Sequence, residues 1–211
     1  MFAGIIETKQ PILCVRMEGK CKRVRVGKSV SWKLSIGESI SVDGICSTVV
    51  AKDTKYFDVA YMPETLSKTT ASSFQMDRMV NLERSLKYGD RIHGHFVMGH
   101  VDTTTRVVDI KRHGRSKLVT CSVPKGLSKY IVPRGSVTVS GVSLTVARRS
   151  RGSFSVALIP HTLAVTDLGS LREGDAVNIE CDAMARYGLA AIHRGATVRG
   201  NEKGKRKSKA R

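Results

Sequence analysis

Short stretches in which apolar and polar residues alternate recur along the chain, separated by Gly, Pro and Asp. A period of two places successive side chains on opposite faces of a β-strand, so one face of each stretch is buried and the other is polar. The clearest stretches are Ser39–Val50, Tyr56–Tyr61, Leu118–Val123, Ser136–Ala147 and Ser153–Leu158, with turn signals at 87–90 and 172–175. The pattern predicts an all-β protein made of small antiparallel barrels or sandwiches.

Helical signals are few. Thr65–Thr69 and Thr162–Thr166 each follow a proline and predict a turn or two of helix, and 184–193 predicts a short C-terminal helix. Apolar runs such as Leu189–Ile192 are far shorter than the roughly 18 residues that a membrane span requires. The first seven residues lack a basic region followed by a long apolar stretch, so no secretory signal is predicted. We therefore expect a cytoplasmic protein with no membrane partner.

The chain repeats itself. At an offset of 97 residues, positions 42–83 align with 139–180 without a gap, and 15 of the 42 pairs are identical. At an offset of 95, residues 3–8 align with 98–103. Two copies of one fold are predicted, which is too few for a solenoid. The predicted divisions are an N-terminal barrel at 1–93, a C-terminal barrel at 94–183, the helix at 184–193 and a tail at 194–211.

The charge balance is strongly basic. Lys and Arg number 36 against 18 Asp and Glu, a formal net charge of +18, which suggests nucleic acid as a partner. Residues 194–211 hold a net +7 of that charge and are predicted to be a solvated, disordered extension that contacts nucleic acid only nonspecifically. Aromatic residues make up only 5% of the chain, so few surfaces for base stacking are available.

Cysteine and histidine patterns do not predict a metal site. The five cysteines are an odd number without a CxxC pair, which fits neither a disulfide framework nor a zinc site. They are predicted to be free thiols. His93 and His95 alternate onto one strand face, but no third ligand follows at a suitable spacing.

Positions that differ between the two repeats are the candidates for chemistry. Cys46 aligns with Ser143, Ile5 with His100, and Glu64 with His161. Duplicated pockets related by an approximate twofold suit two identical small molecules held face to face. Residues two apart on a strand share a face, so Cys46 with Thr48, and Ser143 with Thr145, can each contact one ligand.

Seven segments in the same order and spacing carry a family resemblance. They are Met1–Glu7, Asp43–Val49, Met62–Leu66, Val80–Arg84, Gly94–Asp102, Gly141–Val146 and Ile159–Leu163. Over residues 1 to about 190 the chain closely resembles the riboflavin synthases of the alpha chain type. The resemblance implies two six-stranded Greek-key barrels and a homotrimer in which one subunit's N-terminal barrel faces a neighbour's C-terminal barrel. An association with lumazine synthase is a further expectation.

The resemblance also implies a reaction. Two molecules of 6,7-dimethyl-8-ribityllumazine, bound in one active site, dismutate by transfer of a four-carbon unit to give riboflavin and 5-amino-6-ribitylamino-uracil. No metal or redox cofactor is expected, and the sequence contains neither a GxGxxG motif nor a P-loop.

Four residues are predicted to be catalytic: Cys46, His100, Ser143 and Thr145. His100 is the first candidate for the group that titrates near neutrality and handles a methyl proton. By resemblance, Cys46 and Ser143 activate the pteridine ring or add to it transiently, while Thr48 and Thr145 hydrogen-bond its polar edge. The predicted substrate-binding residues are Gly4, Ile5, Ile6, Ser39, Ser47, Thr48, Ala60, Tyr61, Met62, Pro63, Glu64, Thr65, Gly99, Val101, Arg134, Leu144, Ile159, Pro160, His161, Thr162, Leu163 and Ala164.

Three alternatives stay open at this point. The first is a non-catalytic lumazine or flavin binder, which the joint presence of Cys46, His100, Ser143 and Thr145 disfavours. The second is a nucleic-acid-binding barrel. The third concerns assembly: Gly188 lies inside the expected trimerising helix and costs about 1 kcal/mol relative to alanine, which is compatible with a weaker oligomer or a monomer.

Overall fold

Two closed antiparallel barrels of six strands each form the structure, a computed structural model that describes residues 1–192. The strands of the first are β1 (Thr8–Glu18), β2 (Cys21–Gly27), β3 (Ser39–Val42), β4 (Ile45–Lys52), β5 (Tyr56–Tyr61) and β6 (Met79–Arg84). Those of the second are β7 (Thr103–His113), β8 (Ser116–Ser122), β9 (Ser136–Val139), β10 (Val142–Ser150), β11 (Ser153–Leu158) and β12 (Ala176–Cys181). The first barrel has the strand order β1-β2-β5-β4-β3-β6 and the second the order β10-β11-β8-β7-β12-β9. The tandem barrels predicted from the repeat are confirmed.

The stretches Ser39–Val50 and Ser136–Ala147 are hairpins rather than single strands. The tip of the first is Asp43-Gly44, with φ of 48° and 82°, and the tip of the second is Ser140-Gly141, with φ of 43° and 84°. Positive φ at both central residues is the geometry of a type I′ turn, whose twist matches that of the flanking strands. Each turn reverses the chain so that β3 pairs with β4 and β9 with β10.

Within residues 1–192, three short α-helices accompany the strands. They are α1 (Pro63–Lys68), α2 (Pro160–Val165) and α3 (183–192). The first two begin at the proline itself, two residues before the predicted Thr65 and Thr162, because proline is favoured in the first helical turn, where its missing N–H costs nothing. Short 3₁₀ turns follow at Thr70–Ser73 and Asp167–Ser170.

Each barrel has its own apolar core, as two separate domains require. Ile40, Phe57 and Leu82 are among the residues that fill the first, and Phe154 and Ile179 are among those of the second. The inward-facing residues come from alternate positions of the strands, which is the reason the period-two pattern was visible in the sequence.

Two segments outside the strands cross between the barrels. We call residues 2–6 and 97–101 the lead-in segments, because each precedes the first strand of its repeat. Ile6 packs into the core of the second barrel, whereas Val101 packs against the core of the first. The predicted boundary at 93/94 therefore divides the sequence by repeat, while each lead-in segment is shared between the two barrels.

Helix α3 lies against the second barrel. Arg186 forms an ion pair with Asp102 and its guanidinium stacks over the Tyr130 ring at 5.4 Å from the centroid. The described helix, 183–192, begins one residue before the predicted one, and residue 193 and the predicted tail 194–211 lie outside the described residues. No helix within residues 1–192 is long and apolar enough to cross a membrane.

Replacing Gly188 with alanine should stabilise α3. Gly188 is exposed, and an added Cβ would have no heavy atom within 4 Å, so only the backbone entropy changes. We expect a gain of about 1 kcal/mol in helix stability, measured by denaturant unfolding followed by circular dichroism. The matched control is Ala190→Gly in the same helix, which should lose a similar amount. An unchanged Gly188→Ala variant would contradict the expectation.

Candidate functional site

The outer face of β3 and β4 carries a row of small polar side chains. Cys46 is half-buried and Thr48 is exposed, while the intervening Ser47 points into the barrel. Across the ladder, Ser39 pairs with Thr48 and Ser41 pairs with Cys46. Residues paired across a ladder lie on the same face, so this part of the first barrel presents hydroxyl and thiol groups outward.

A lead-in segment lies directly on this face. The backbone N–H of Cys46 donates to the carbonyl of Gly99 at 2.8 Å. Gly99 has φ +76°, and a Cβ built on it would lie 2.6 Å from the Cβ of Cys46, so only glycine allows this approach. The exposed His100 follows immediately. His100 therefore belongs to the second repeat in sequence but lies beside the polar face of the first barrel.

The second barrel repeats the arrangement with the other lead-in segment. Ser143 is half-buried and Thr145 exposed on the outer face of β10, and the backbone N–H of Ser143 donates to the carbonyl of Gly4 at 2.7 Å. Thr145 pairs with Ser136 on β9, which is not among the predicted site residues although the 97-residue offset relates it to Ser39. The exposed Ile5 takes the place that His100 has in the first barrel.

His95 lies beside Ser143 on the polar face of the second barrel, although it is not among the predicted site residues. Its Nδ1 is 2.7 Å from the Oγ of Ser143, and its Nε2 is 3.2 Å from the Oγ1 of Thr138. Burial lowers the pKa of His95, so the ring is neutral at neutral pH and can hydrogen-bond both hydroxyls. The two sites differ here: the equivalent of Thr138 is Ser41, whose buried Oγ has no hydrogen-bond partner among the described residues.

Two loops border the polar faces. Ala60 faces outward on β5 just after Val59, which pairs with Val49, so it lies next to Thr48. Met62, Pro63 and Glu64 follow as exposed residues and Thr65 is half-buried. Glu64 bonds Lys68 at 2.8 Å, and this hydrogen bond lowers the pKa of its carboxyl. In the corresponding loop of the second barrel, the exposed residues are Ile159, Pro160, His161 and Ala164, and the half-buried ones are Thr162 and Leu163.

Four predicted contacts have side chains inside the barrels. Ile6 and Leu144 belong to the second core, and Ser47 and Tyr61 are 3% and 2% exposed. The Ser47 hydroxyl is 3.1 Å from the Tyr61 hydroxyl and donates to the Ile45 carbonyl at 2.9 Å. These side chains point into the barrel interiors, so they do not line the outer polar faces. Val101 is likewise half-buried against the first core.

Arg134 lies at the edge of the second site. It is exposed, and its backbone N–H donates to the carbonyl of Val146 at 2.9 Å, next to Thr145. Its φ of 66° is unusual for a residue with a side chain. The equivalent position in the first barrel is Gly37, at φ 86°.

A cleft of about 540 Å³ lies beside residues 85–93, which follow β6 and lead to the second barrel. Ala3, Ile5, Glu83 and His93 are among its lining residues, whereas Cys46 and Ser143 are not. The two polar faces are instead open to solvent at Thr48, His100 and Thr145.

Glu83 on β6 holds the first lead-in segment. Its carboxylate accepts the backbone N–H of Ala3 at 2.7 Å and that of Gly4 at 3.0 Å. Burial raises the pKa of Glu83 to about 7, although hydrogen bonds from the N–H groups of Ala3, Ile5 and Gly4 oppose the shift. The folded state therefore favours the protonated form of Glu83 more than the unfolded state does. Its contribution to the free energy of unfolding is fully present below the unfolded pKa of 4.5 and is lost as the pH rises through about 7.

The Glu83→Gln variant should reveal this pH dependence. We expect the free energy of unfolding of the wild type to fall relative to that of the variant between about pH 4.5 and 7, by up to about 3 kcal/mol. The measurement is urea unfolding at a series of pH values. Glu64→Gln, which removes an exposed carboxyl with a lowered pKa, is the control and should show no such fall. Parallel pH profiles for wild type and Glu83→Gln would contradict the assignment.

The comparisons with known proteins match both barrels of the chain. A family model described as the lumazine binding domain matches residues 3–85 and again residues 98–182. The chain is 40% identical over 194 residues to a riboflavin synthase of Brucella abortus (strain 2308), covering 89% of this chain and 96% of that protein. It is 35% identical over 195 residues to a riboflavin synthase of Bacillus subtilis (strain 168), covering 92% and 91%.

Several solved structures share the fold, among them two complexes of LumP. LumP complexed with 6,7-dimethyl-8-(1'-D-ribityl) lumazine has a TM-score of 0.77 at 20% identity, covering 85% of this chain and 98% of that chain. LumP complexed with riboflavin has a TM-score of 0.80 at 21% identity, covering 86% and 99%. At this identity the likeness extends to the fold alone.

Proposed function

Because this chain belongs to the lumazine-binding domain family, we propose how its two barrels perform the reaction of a riboflavin synthase. The enzyme is a transferase: two molecules of 6,7-dimethyl-8-ribityllumazine dismutate to riboflavin and 5-amino-6-ribitylamino-uracil. One molecule is the donor and the other the acceptor of four carbons, so the reaction needs two sites of similar shape and different chemistry.

Each barrel is proposed to bind one lumazine on its outer polar face. The observation that carries this proposal is the repeated arrangement of a half-buried Cys46 or Ser143, an exposed Thr48 or Thr145 two residues later, and a lead-in segment bonded to the backbone of the first. The hydroxyls hydrogen-bond the polar edge of the ring. The exposed residues at the starts of α1 and α2, including Glu64 and His161, offer donors and acceptors to the ribityl hydroxyls.

The chemistry differs between the barrels because the side chains do. A lumazine methyl group is acidic, since its carbanion is delocalised over an electron-poor ring, and positioning therefore supplies much of the rate. His100, beside Cys46, takes or returns the methyl proton in the first barrel. In the second barrel Ile5 replaces that histidine and the neutral His95 orients the Ser143 hydroxyl. The first barrel thus suits proton transfer, and the second suits activation of the partner ring.

We propose a homotrimer in which the first barrel of one subunit faces the second barrel of its neighbour. Thr48, His100 and Thr145 are exposed in a single chain, and a ring bound there would be covered on one side only. A facing barrel would exclude water and stack the two lumazines. Five free cysteines suit a reducing compartment, which supports a cytoplasmic location. Association with lumazine synthase and nonspecific contact of the tail 194–211 with nucleic acid stay predictions.

The test is turnover of purified protein with 6,7-dimethyl-8-ribityllumazine alone. Riboflavin fluorescence should increase, with one riboflavin formed for every two lumazines consumed and no added cofactor. Binding of lumazine without turnover would instead indicate a non-catalytic binder. Sedimentation of the same sample, with and without substrate, tests the trimer independently of activity.

A further inference from the structure

Glu180, on strand β12, is a buried carboxylate whose hydrogen-bond partners are backbone N–H groups. The residue is only 5% exposed. One carboxylate oxygen accepts the backbone N–H of Met98 at 2.7 Å and the other accepts that of Gly99 at 3.0 Å. The carboxylate therefore accepts hydrogen bonds from two consecutive peptide groups of the lead-in segment 97–101.

Among the described residues, no side-chain cation is paired with this carboxylate. Within residues 1–192, no Lys, Arg or His side chain forms an ion pair with Glu180. Burial raises the pKa of Glu180, while hydrogen bonds from the backbone N–H groups of Met98, Gly99 and His100, and the positive charge of the N-terminal amino group, oppose the rise. A buried carboxylate destabilises the fold unless hydrogen bonds and nearby charges offset the loss of hydration. The hydrogen bonds to the lead-in segment 97–101 are therefore the main contacts that stabilise the Glu180 carboxylate.

The same peptide groups are fixed from the other side by the first barrel. Gly99 donates its N–H to Glu180 of the second barrel and accepts the N–H of Cys46, at 2.8 Å, through its carbonyl. The residue after it is His100. Hydrogen bonds from both barrels thus fix the backbone just before His100. Because Glu180 makes its contact through a side chain, a mutation can remove it.

We propose that Glu180 is a positioning residue for the reaction, fixing the Met98-Gly99 backbone so that His100 is held beside Cys46. The proposal rests on the function proposed above for His100. Loss of one of the two acceptor oxygens would free the Met98 or Gly99 peptide group to rotate. A displacement of a reacting group by about 1 Å can lower a rate by on the order of 100-fold, so even a partial release is measurable.

Glu83 offers a matched comparison within the same chain. It grips the equivalent peptide groups of Ala3 and Gly4, at 2.7 and 3.0 Å, but the lead-in segment that it holds carries Ile5 in place of His100. Glu83 and Glu180 thus have the same geometry and burial, at 4% and 5% exposure, and differ in the side chain that they position.

The experiment is a double-mutant cycle on the full chain. Glu180→Gln keeps the shape of the side chain but replaces one acceptor oxygen with a donor, and should lower kcat by about 10-fold with KM changed by less than about 3-fold. In a background of His100→Ala, the same substitution should have almost no further effect, because Glu180 acts through His100. Glu83→Gln should combine multiplicatively with His100→Ala.

Three results would overturn the proposal. They are a Glu180→Gln variant with wild-type kcat, an effect of Glu180→Gln that multiplies with that of His100→Ala, or equal coupling of Glu83→Gln and Glu180→Gln to His100. A wild type without turnover would instead refute the proposed function, so the two failures are distinct. Should Glu180→Gln not fold, amide hydrogen exchange of the wild type decides: protected Met98 and Gly99 amides support the grip, and exchange as fast as in an unfolded chain overturns it.

Discussion

Replacing His100 with alanine is expected to lower riboflavin formation by about 10-fold or more at saturating lumazine. His100 is the imidazole next to Cys46 on the first barrel, and the second barrel has Ile5 at the equivalent place, so no second copy can substitute for it. Proton transfer by a positioned side chain contributes about 10²- to 10⁴-fold, part of which solvent can replace. The measurement is steady-state kinetics by riboflavin fluorescence.

The effect should be on kcat and not on folding. His100 is exposed, so its removal leaves no cavity, and the unfolding midpoint should stay within experimental error. His113→Ala, at the exposed end of β7, is the matched control and should leave turnover unchanged. Wild-type turnover in His100→Ala would remove His100 from the mechanism, and Cys46 would become the first candidate for proton transfer.

Phe2→Ala is expected to have the largest effect on stability, a loss of about 3–5 kcal/mol in the free energy of unfolding. Phe2 is 0% exposed. It pairs with Val97 in an antiparallel bridge, with its N–H donating to the Val97 carbonyl at 2.7 Å and its carbonyl accepting at 3.0 Å. Removing this buried ring leaves a cavity next to a residue whose backbone joins the two lead-in segments, so turnover should fall as well.

Denaturant unfolding measures this loss, and Phe96→Ala provides the comparison. Phe96 is 44% exposed, so the same chemical change there should cost less than about 1 kcal/mol. A Phe2→Ala variant as stable as Phe96→Ala would show that the junction of the lead-in segments is not a packed region. Unchanged turnover despite a large loss of stability would show that the segments keep their places without the ring.

Most of the fold was accessible from sequence because it depends on local periodicity and on repetition. Alternation between buried and exposed positions predicted the strands, and the 97-residue offset predicted two barrels before any contact was known. The Asp-Gly and Ser-Gly pairs at the hairpin tips are local signals of the same kind, since φ is set by the residues at the turn.

Some residues of the candidate site could not be predicted from the sequence, because their placement depends on contacts between distant parts of the chain. His95 has no counterpart in the first repeat, and its two bonds to Ser143 and Thr138 join residues more than 40 positions apart. The interior positions of Ser47 and Tyr61 follow from the alternation of side chains along a strand, since each neighbours an outward-facing residue. They are predicted as ligand contacts only because they lie within or next to the family's motifs.

By itself, then, the sequence determined the number of domains, the strand pattern, the family and the polar pairs Cys46 with Thr48 and Ser143 with Thr145. Only the tertiary structure decided which barrel each lead-in segment serves. It places His100 beside the first barrel and Ile5 beside the second. It also shows that Glu180 and Glu83 hydrogen-bond the lead-in segments that contain these two residues. The physical reason is that a backbone N–H or carbonyl has no sequence signature: which buried carboxylate or strand it pairs with is fixed by packing between distant parts of the chain.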